Sequence, residues 1–397
     1  MDRNVALYPW FRFTQNLLFW QAVWFLYFQA ELSAPEAILL YALYELATTI
    51  LEVPSGYASD RLGRRITLLV AAACGVGAAS LQMVGGYFAV FAVAQVLLGG
   101  FQAFTSGTDG ALLYESLVAE GREDETEAQE LKAWRFSFAA LALSAFTGGL
   151  LARVDFIFVY AATTLAFAAA TFIAWQFTEP PHAARAPSIR ADLRDLGRAM
   201  FRPVLAWLFV IFLLAHIYSH LPFVFGQPFI REVLAALGLE VETPIVSGAI
   251  VTSMMLISLL ASAAAPRLRA RFGLGPLLLG AFALQIAISA AMAVSGATLI
   301  ILVLLARMIP SSFQGPYITA RIQSELPDSI RATFVSLKSL TGRLIFAGTL
   351  ALSSTLAGDA DTLPLSVIQS VLGLYVGAGL LALLALGLTM RRARLDE

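Results

Sequence analysis

An all-α membrane protein with twelve transmembrane helices is the fold class this sequence predicts, and three observations predict it. Of its 397 residues, 59% are hydrophobic and only 13% are charged. The mean hydropathy of +0.77 lies well above that of soluble domains. The apolar residues gather in runs of roughly 20, the length that crosses the hydrocarbon core of a bilayer. Arginines crowd into alternate connections between those runs, the pattern that sets topology in membrane proteins.

In chain order the apolar runs cover residues 10–30, 35–58, 66–86, 88–110, 133–152 and 156–177, then 204–226, 245–265, 274–295, 297–320, 334–357 and 364–388. The first begins close to Met1, is rich in aromatics and has no small-residue cleavage site, so it is expected to be a retained span. Between the sixth and seventh runs lies a hydrophilic stretch with Pro180, Pro181, Pro187 and five arginines, Arg185, Arg190, Arg194, Arg198 and Arg202. The predicted organisation is therefore an N-terminal six-helix bundle (1–177), a cytoplasmic linker (178–203) and a C-terminal six-helix bundle (204–397).

With the N-terminus inside, the linker arginines fall on the same face as Arg61, Arg64 and Arg65, as Arg267, Arg269 and Arg271, and as Arg391, Arg392 and Arg394. That places 14 cations on one side against Arg153 and Arg231 on the other. Both termini are thus expected in the cytoplasm, which requires an even number of spans. Arginine outnumbers lysine 24 to 2, a bias that suggests a GC-rich bacterial genome and hence an inner-membrane location.

The net charge of -1 and the dispersed arginines give no basic face for nucleic acid. A single cysteine, Cys74, supports neither a disulfide framework nor a cysteine metal cluster. No nucleophile–base constellation or phosphate-cradling glycine loop is present, so neither enzyme activity nor a cofactor is expected. The partners that remain are the lipid bilayer and a small-molecule substrate, bound by a monomer.

Gly56-Tyr-Ala-Ser-Asp60-Arg61-Leu-Gly63-Arg64-Arg65, between the second and third spans, resembles the signature loop of the major facilitator superfamily. Glu325-Leu-Pro-Asp-Ser-Ile-Arg331-Ala-Thr-Phe, before the eleventh span, resembles that superfamily as well. The halves echo each other: Leu131-Lys132 with Arg135 opens span five as Leu337-Lys338 with Arg343 opens span eleven, and residues 264–273 are a worn copy of 56–65. The resemblance implies two pseudo-symmetric six-helix bundles that alternate access to a central cavity. It also implies a cytoplasmic gate of Gly56, Asp60, Arg61, Gly63, Arg64, Arg65, Glu115 and Arg331. In that gate Asp60 is expected to cap the positive N-terminus of span eleven, and the arginines to pair with Asp60 or Glu115. Drug–proton antiporters of the superfamily carry glycine and proline on span five, where Ala145-Phe-Thr-Gly148-Gly149 has the glycines without the proline. Sugar-porter signatures are absent.

An ionisable group at the helix centre costs at least ~2.5 kcal/mol, so each one invites a functional reading. Glu45 and Glu52 lie seven apart on one face of span two. Gln102, Ser106 and Asp109 form a stripe on span four, and Arg307, Ser311 and Gln314 repeat its spacing on span ten. The proton carriers are ranked Glu52, Asp109, then Glu45, with Arg307 as charge partner or substrate-anion contact and Arg343 in either role. The competing reading is a static ion pair, for example Asp109 with Arg135. His216 and His220, four apart on span seven, are read as hydrogen-bonded cavity histidines in preference to a metal site. The aromatics of span one, including Trp10, Phe19, Trp20, Trp24, Phe25, Tyr27 and Phe28, are candidates for stacking on substrate or for helix packing. The expected activity is proton-gradient-driven export of a small organic solute. The alternative is an uptake carrier for a small organic anion, and a non-transporting receptor or enzyme is a remote third.

Overall fold

The computed structural model describes residues 1–181, 197, 200–326, 328–357, 363–393 and 395. Among these residues all regular structure is helical. The first half holds α1 (Asp2–Gln15), α2 (Trp24–Glu31), α3 (Ala34–Leu62), α4 (Arg64–Val84), α5 (Phe88–Thr105), α6 (Thr108–Ala119), α7 (Thr126–Val154) and α8 (Phe156–Gln176). The second half holds α9 (Pro203–Ala235), α10 (Thr243–Phe272), α11 (Leu274–Val294), α12 (Ile300–Val303), α13 (Met308–Glu325), α14 (Asp328–Ala357) and α15 (Leu365–Ala393).

Nine helical segments among the described residues are long and apolar enough to cross a membrane. Of the other three predicted spans, two are interrupted. Span one is split into α1, a 3-10 turn at Phe19–Ala22 and α2. Span ten is split by a 3-10 turn at Leu304–Ala306. Span eleven is the continuous 30-residue helix α14, which carries Arg331, Lys338 and Arg343. Span four also breaks, between α5 and α6, where Gly107 takes a left-handed conformation at φ 77°.

The chain forms two compact units, one of Met1–Arg185 with Pro244–Thr252, the other of Ala186–Thr243 with Ser253–Glu397. In the first unit α4 packs on α5 and α8, α3 on α5, and α1 on α7 and α8. In the second unit α11 packs on α15 and α13, and α9 on α11, α13, α14 and α15. Each unit thus pairs its first span with its fifth and sixth, and its third span with its sixth.

Small residues make these pairings close, because helices in lipid gain from van der Waals contact and not from expelling water. At Gly148 of α7 a Cβ would sit 2.0 Å from the carbonyl oxygen of Phe19, so only glycine admits the span-one turn there. Large apolar side chains such as Leu165, Leu260, Leu381 and Leu388 are exposed, as lipid-embedded helices require. α3 starts at a capping box, Ser33 with Glu36, and ends at Gly63 with φ 95°. Gly273, with φ 81°, separates α10 from α11 in the same way. This pairing of Gly63 with Gly273 shifts the repeat by two residues from the sequence alignment of 56–65 with 264–273.

Candidate functional site

The polar interior of the first unit is built around Arg12 on α1. Its guanidinium forms an ion pair with Asp109, which lies in the first turn of α6. Arg12 also donates to Ser137 Oγ of α7 at 3.3 Å and lies over the Trp134 ring. A second carboxylate, Glu130 of α7, accepts from Tyr8 Oη at 3.2 Å and is within electrostatic range of both Arg12 and Asp109. One cation therefore faces two acids. The Gly107 break creates this arrangement: a continuous helix would have kept Asp109 in register with Gln102 and Ser106. The expected single stripe is instead divided, with Gln102 half-buried on α5, Ser106 exposed at its end and Asp109 buried on α6. The Asp109–Arg135 pair is likewise replaced by Asp109–Arg12, and Arg135 is exposed.

The loop from Gly56 to Arg65 makes a dense ionic contact at one end of this unit. Arg64 donates from Nε to both oxygens of Glu115 at 3.2 Å and from Nη2 to Glu115 Oε1 at 2.9 Å. Its Nη1 reaches Ser59 Oγ at 2.7 Å and Asp60 Oδ1 at 2.8 Å. Arg65 donates to the Trp175 carbonyl at 2.8 Å, and Arg61 lies over the Tyr57 ring. Glu179 clasps the start of α4, where its carboxylate accepts from the backbone N–H groups of Arg64 at 2.6 Å and Arg65 at 2.8 Å. A Cβ on Gly63 would stand 2.6 Å from that carboxylate. Gly56, by contrast, has open space at its Cβ position. The side chain of Arg331 lies outside the described residues, as do the linker arginines Arg185, Arg190, Arg194 and Arg198.

In the second unit, α9 lines up Phe212, His216, His220 and Phe223 on one face. Phe212 and His216 stack with centroids 6.2 Å apart, and the two histidine rings are 4.4 Å apart. Phe346 of α14 meets His220 at 4.8 Å. His220 Nδ1 is 2.7 Å from the His216 carbonyl oxygen, which only accepts, so Nδ1 carries the proton. His216 Nε2 is buried without a hydrogen-bond partner. Cations border the stripe: Lys338 Nζ lies 4.0 Å from the Phe212 centroid, and the Arg307 guanidinium 5.3 Å from that of Phe223. Arg343 is within electrostatic range of His216. Gln314 is buried and donates weakly to the Leu278 carbonyl at 3.5 Å.

The family model of the Major Facilitator Superfamily matches residues 7–349. The chain belongs to that superfamily. It is an integral, multi-pass membrane transporter and not an enzyme. Among solved structures, the nucleoside transporter NupG is similar with a TM-score of 0.76 at 13% identity, covering 98% of this chain and 99% of that one. An auto-inhibited peptide transporter of the POT family reaches 0.74 at 12% identity, with 99% and 97% covered. A D-xylose–proton symporter reaches 0.70 at 15%, with 97% and 96% covered. No curated protein matches.

Within this superfamily member the remaining candidates are dispersed. Glu45 is buried on α3. Glu52, seven residues on, is half-buried, and its side chain has no hydrogen-bond or ion-pair partner among the described residues. Trp20, Trp24 and Phe28 border a cavity of about 10 Å³ inside the first unit, with Tyr41, Gln82 and Tyr160. That is room for about one water. Trp10 is exposed.

Three residues that matter were not among the sequence candidates. Arg12 and Glu130 stand at the edges of apolar runs, where a charge reads as a flank. Lys338 serves in the sequence as a repeat marker, although a lysine inside an apolar run is itself the signal.

Proposed function

We propose that this transporter exports a small organic solute by alternating access, coupled to proton movement through the Arg12, Asp109 and Glu130 group. The observation that carries the proposal is the ratio of charges: one guanidinium between two carboxylates in a lipid-embedded unit. With both acids ionised the group has a net negative charge, which a low-dielectric interior disfavours. One proton on either acid makes it neutral. Loading and releasing that proton therefore changes what the helices around it tolerate, which is the requirement for coupling. Tyr8 holds Glu130 by hydrogen bond, while Asp109 is held by the stronger ionic contact, so the two acids are not equivalent.

The test uses liposomes that contain the protein and an internal pH dye, challenged with neutral, cationic and anionic organic solutes under pH gradients of either sign. At least one solute is expected to move protons in the wild type, with exchange in the opposite sense to the proton. Asp109→Asn is expected to abolish the gradient response while preserving solute exchange without a gradient. Glu52→Gln separates the two candidate carriers, because it leaves the response intact if the Arg12 group carries the proton. Wild-type flux indifferent to pH would reject coupling altogether.

A second reading, uptake of an organic anion, has its own support in the second unit, where Lys338, Arg307 and Arg343 lie on spans that hold no interior acid. Co-movement of solute and proton in the same liposomes would favour it.

A further inference from the structure

We propose that the second unit contains a recognition site for the carboxylate of an aromatic acid, with Lys338 as the charge contact and the α9 ring stripe as the wall for the ring. The inference rests on the transport reading only for its purpose, since a binding site has a meaning of its own. It holds for export and uptake alike.

Charge in the spans of the second unit is one-sided. Residues 203–231, 243–324 and 329–358 contain no aspartate or glutamate, yet the apolar runs there include Arg307, Lys338 and Arg343. Lys338 is 3% exposed. Its partners are Thr319 Oγ1 at 3.1 Å and the face of Phe212, and no carboxylate pairs with it among the described residues of this unit. A hydroxyl and a π-face solvate an ammonium only in part, so the group is poised for an anion brought from outside. An ammonium has three N–H donors, and the hydroxyl takes one.

The surroundings define the rest of the ligand. Gly342 lies one turn beyond Lys338 on α14, and the rings of Phe212 and His216 pack beside it, 3.5 and 3.6 Å from the position a Cβ would take. Phe346, a further turn along, continues the aromatic surface. His216 Nε2, buried and unpartnered, supplies a second polar atom beside that wall. A flat ring bearing one carboxylate matches these groups. An inorganic phosphate has no use for the rings, and a neutral amide leaves the lysine without its counter-charge.

Purified full-length protein in detergent micelles is titrated with radiolabelled benzoate. Saturable binding is expected, displaced by unlabelled benzoate, about tenfold more weakly by cyclohexanecarboxylate, and not by benzamide or inorganic phosphate. Lys338→Met is expected to weaken binding by about 30-fold or more, and Lys338→Arg to recover most of it. Lys132→Met, at the exposed lysine in the corresponding place on span five, leaves it unchanged. The proposal is overturned if benzoate shows no saturable binding, if benzamide or phosphate competes as well as benzoate, or if Lys338→Met binds normally. If Lys338→Met does not fold, the benzoate and benzamide comparison on the wild type still decides. Micelles carry no gradient, so benzoate binding without flux in liposomes sinks the transport reading alone. Flux of other solutes without benzoate binding sinks this inference alone.

Discussion

Arg64 uses its guanidinium as few other side chains can, reaching Glu115, Asp60 and Ser59 from one position. Arg64→Ala leaves Glu115 unpaired and is expected to destabilise the protein by about 1.5–3 kcal/mol, seen as a lower unfolding temperature in detergent. Arg64→Lys is expected to restore less than half, because one ammonium cannot reproduce the fork; wild-type stability in that variant would contradict the contact. Gly63→Ala meets two obstacles at once, a φ of 95° and the Glu179 carboxylate. It should cost about 1–3 kcal/mol from the backbone alone, with the lost clasp in addition. The motif marked out the residues of this loop, but of its three arginines only Arg64 meets Asp60 and Glu115, while Arg65 donates to the Trp175 carbonyl and Arg61 lies over Tyr57. Glu179 was not legible, because a carboxylate beyond the last apolar run of the half looks like linker. Its role is visible only once the chain has folded back on the start of α4.

At the scale of elements, helix breaks matter more than helices. Gly107 and Gly148 make a contrast that can be measured. Gly107 has nothing within 4 Å of its Cβ position, so Gly107→Ala pays only for the left-handed backbone, about 1 kcal/mol. Gly148→Ala drives a methyl into the Phe19 carbonyl, and the span-one turn must move. We expect Gly148→Ala to lower the unfolding temperature in detergent more than Gly107→Ala; the reverse order would show that the α7 contact with the turn is loose. The lengths and positions of the helices were readable from hydropathy, since the bilayer sets one scale for all of them. The interruptions in spans one, four and ten were not. Leu304–Ala306 and Phe19–Ala22 are as apolar as their neighbours, and only tertiary packing makes the helix tighten there. This is also why the Gln102, Ser106, Asp109 spacing misled: periodicity assumes a helix that does not stop.

For the molecule as a whole, composition was enough for the class, because lipid leaves so few backbone solutions, and the 56–65 motif pointed to the family. The charge bias makes an independent prediction about orientation. In a background with Cys74 replaced by alanine, a cysteine at the exposed Tyr87 should react with an impermeant maleimide in intact cells, and one at the exposed Asp124 only after lysis. The opposite pattern would invert the topology. What sequence could not supply was the grouping in the first unit, where two acids from different helices share one guanidinium. That grouping emerges only when Arg12 and Glu130 are brought to Asp109.

The Glu179 clasp also bears on how the protein is made. Its oxygens close on a helix start 115 residues earlier in the chain. Until the ribosome has delivered residue 179, the first amides of α4 go without that carboxylate, and six spans wait in the bilayer with their signature turn untied. The first half therefore becomes fully knit only as synthesis passes into the second, so a nascent chain cut short just before residue 179 should reach the membrane as six inserted helices that remain open to proteases at that turn.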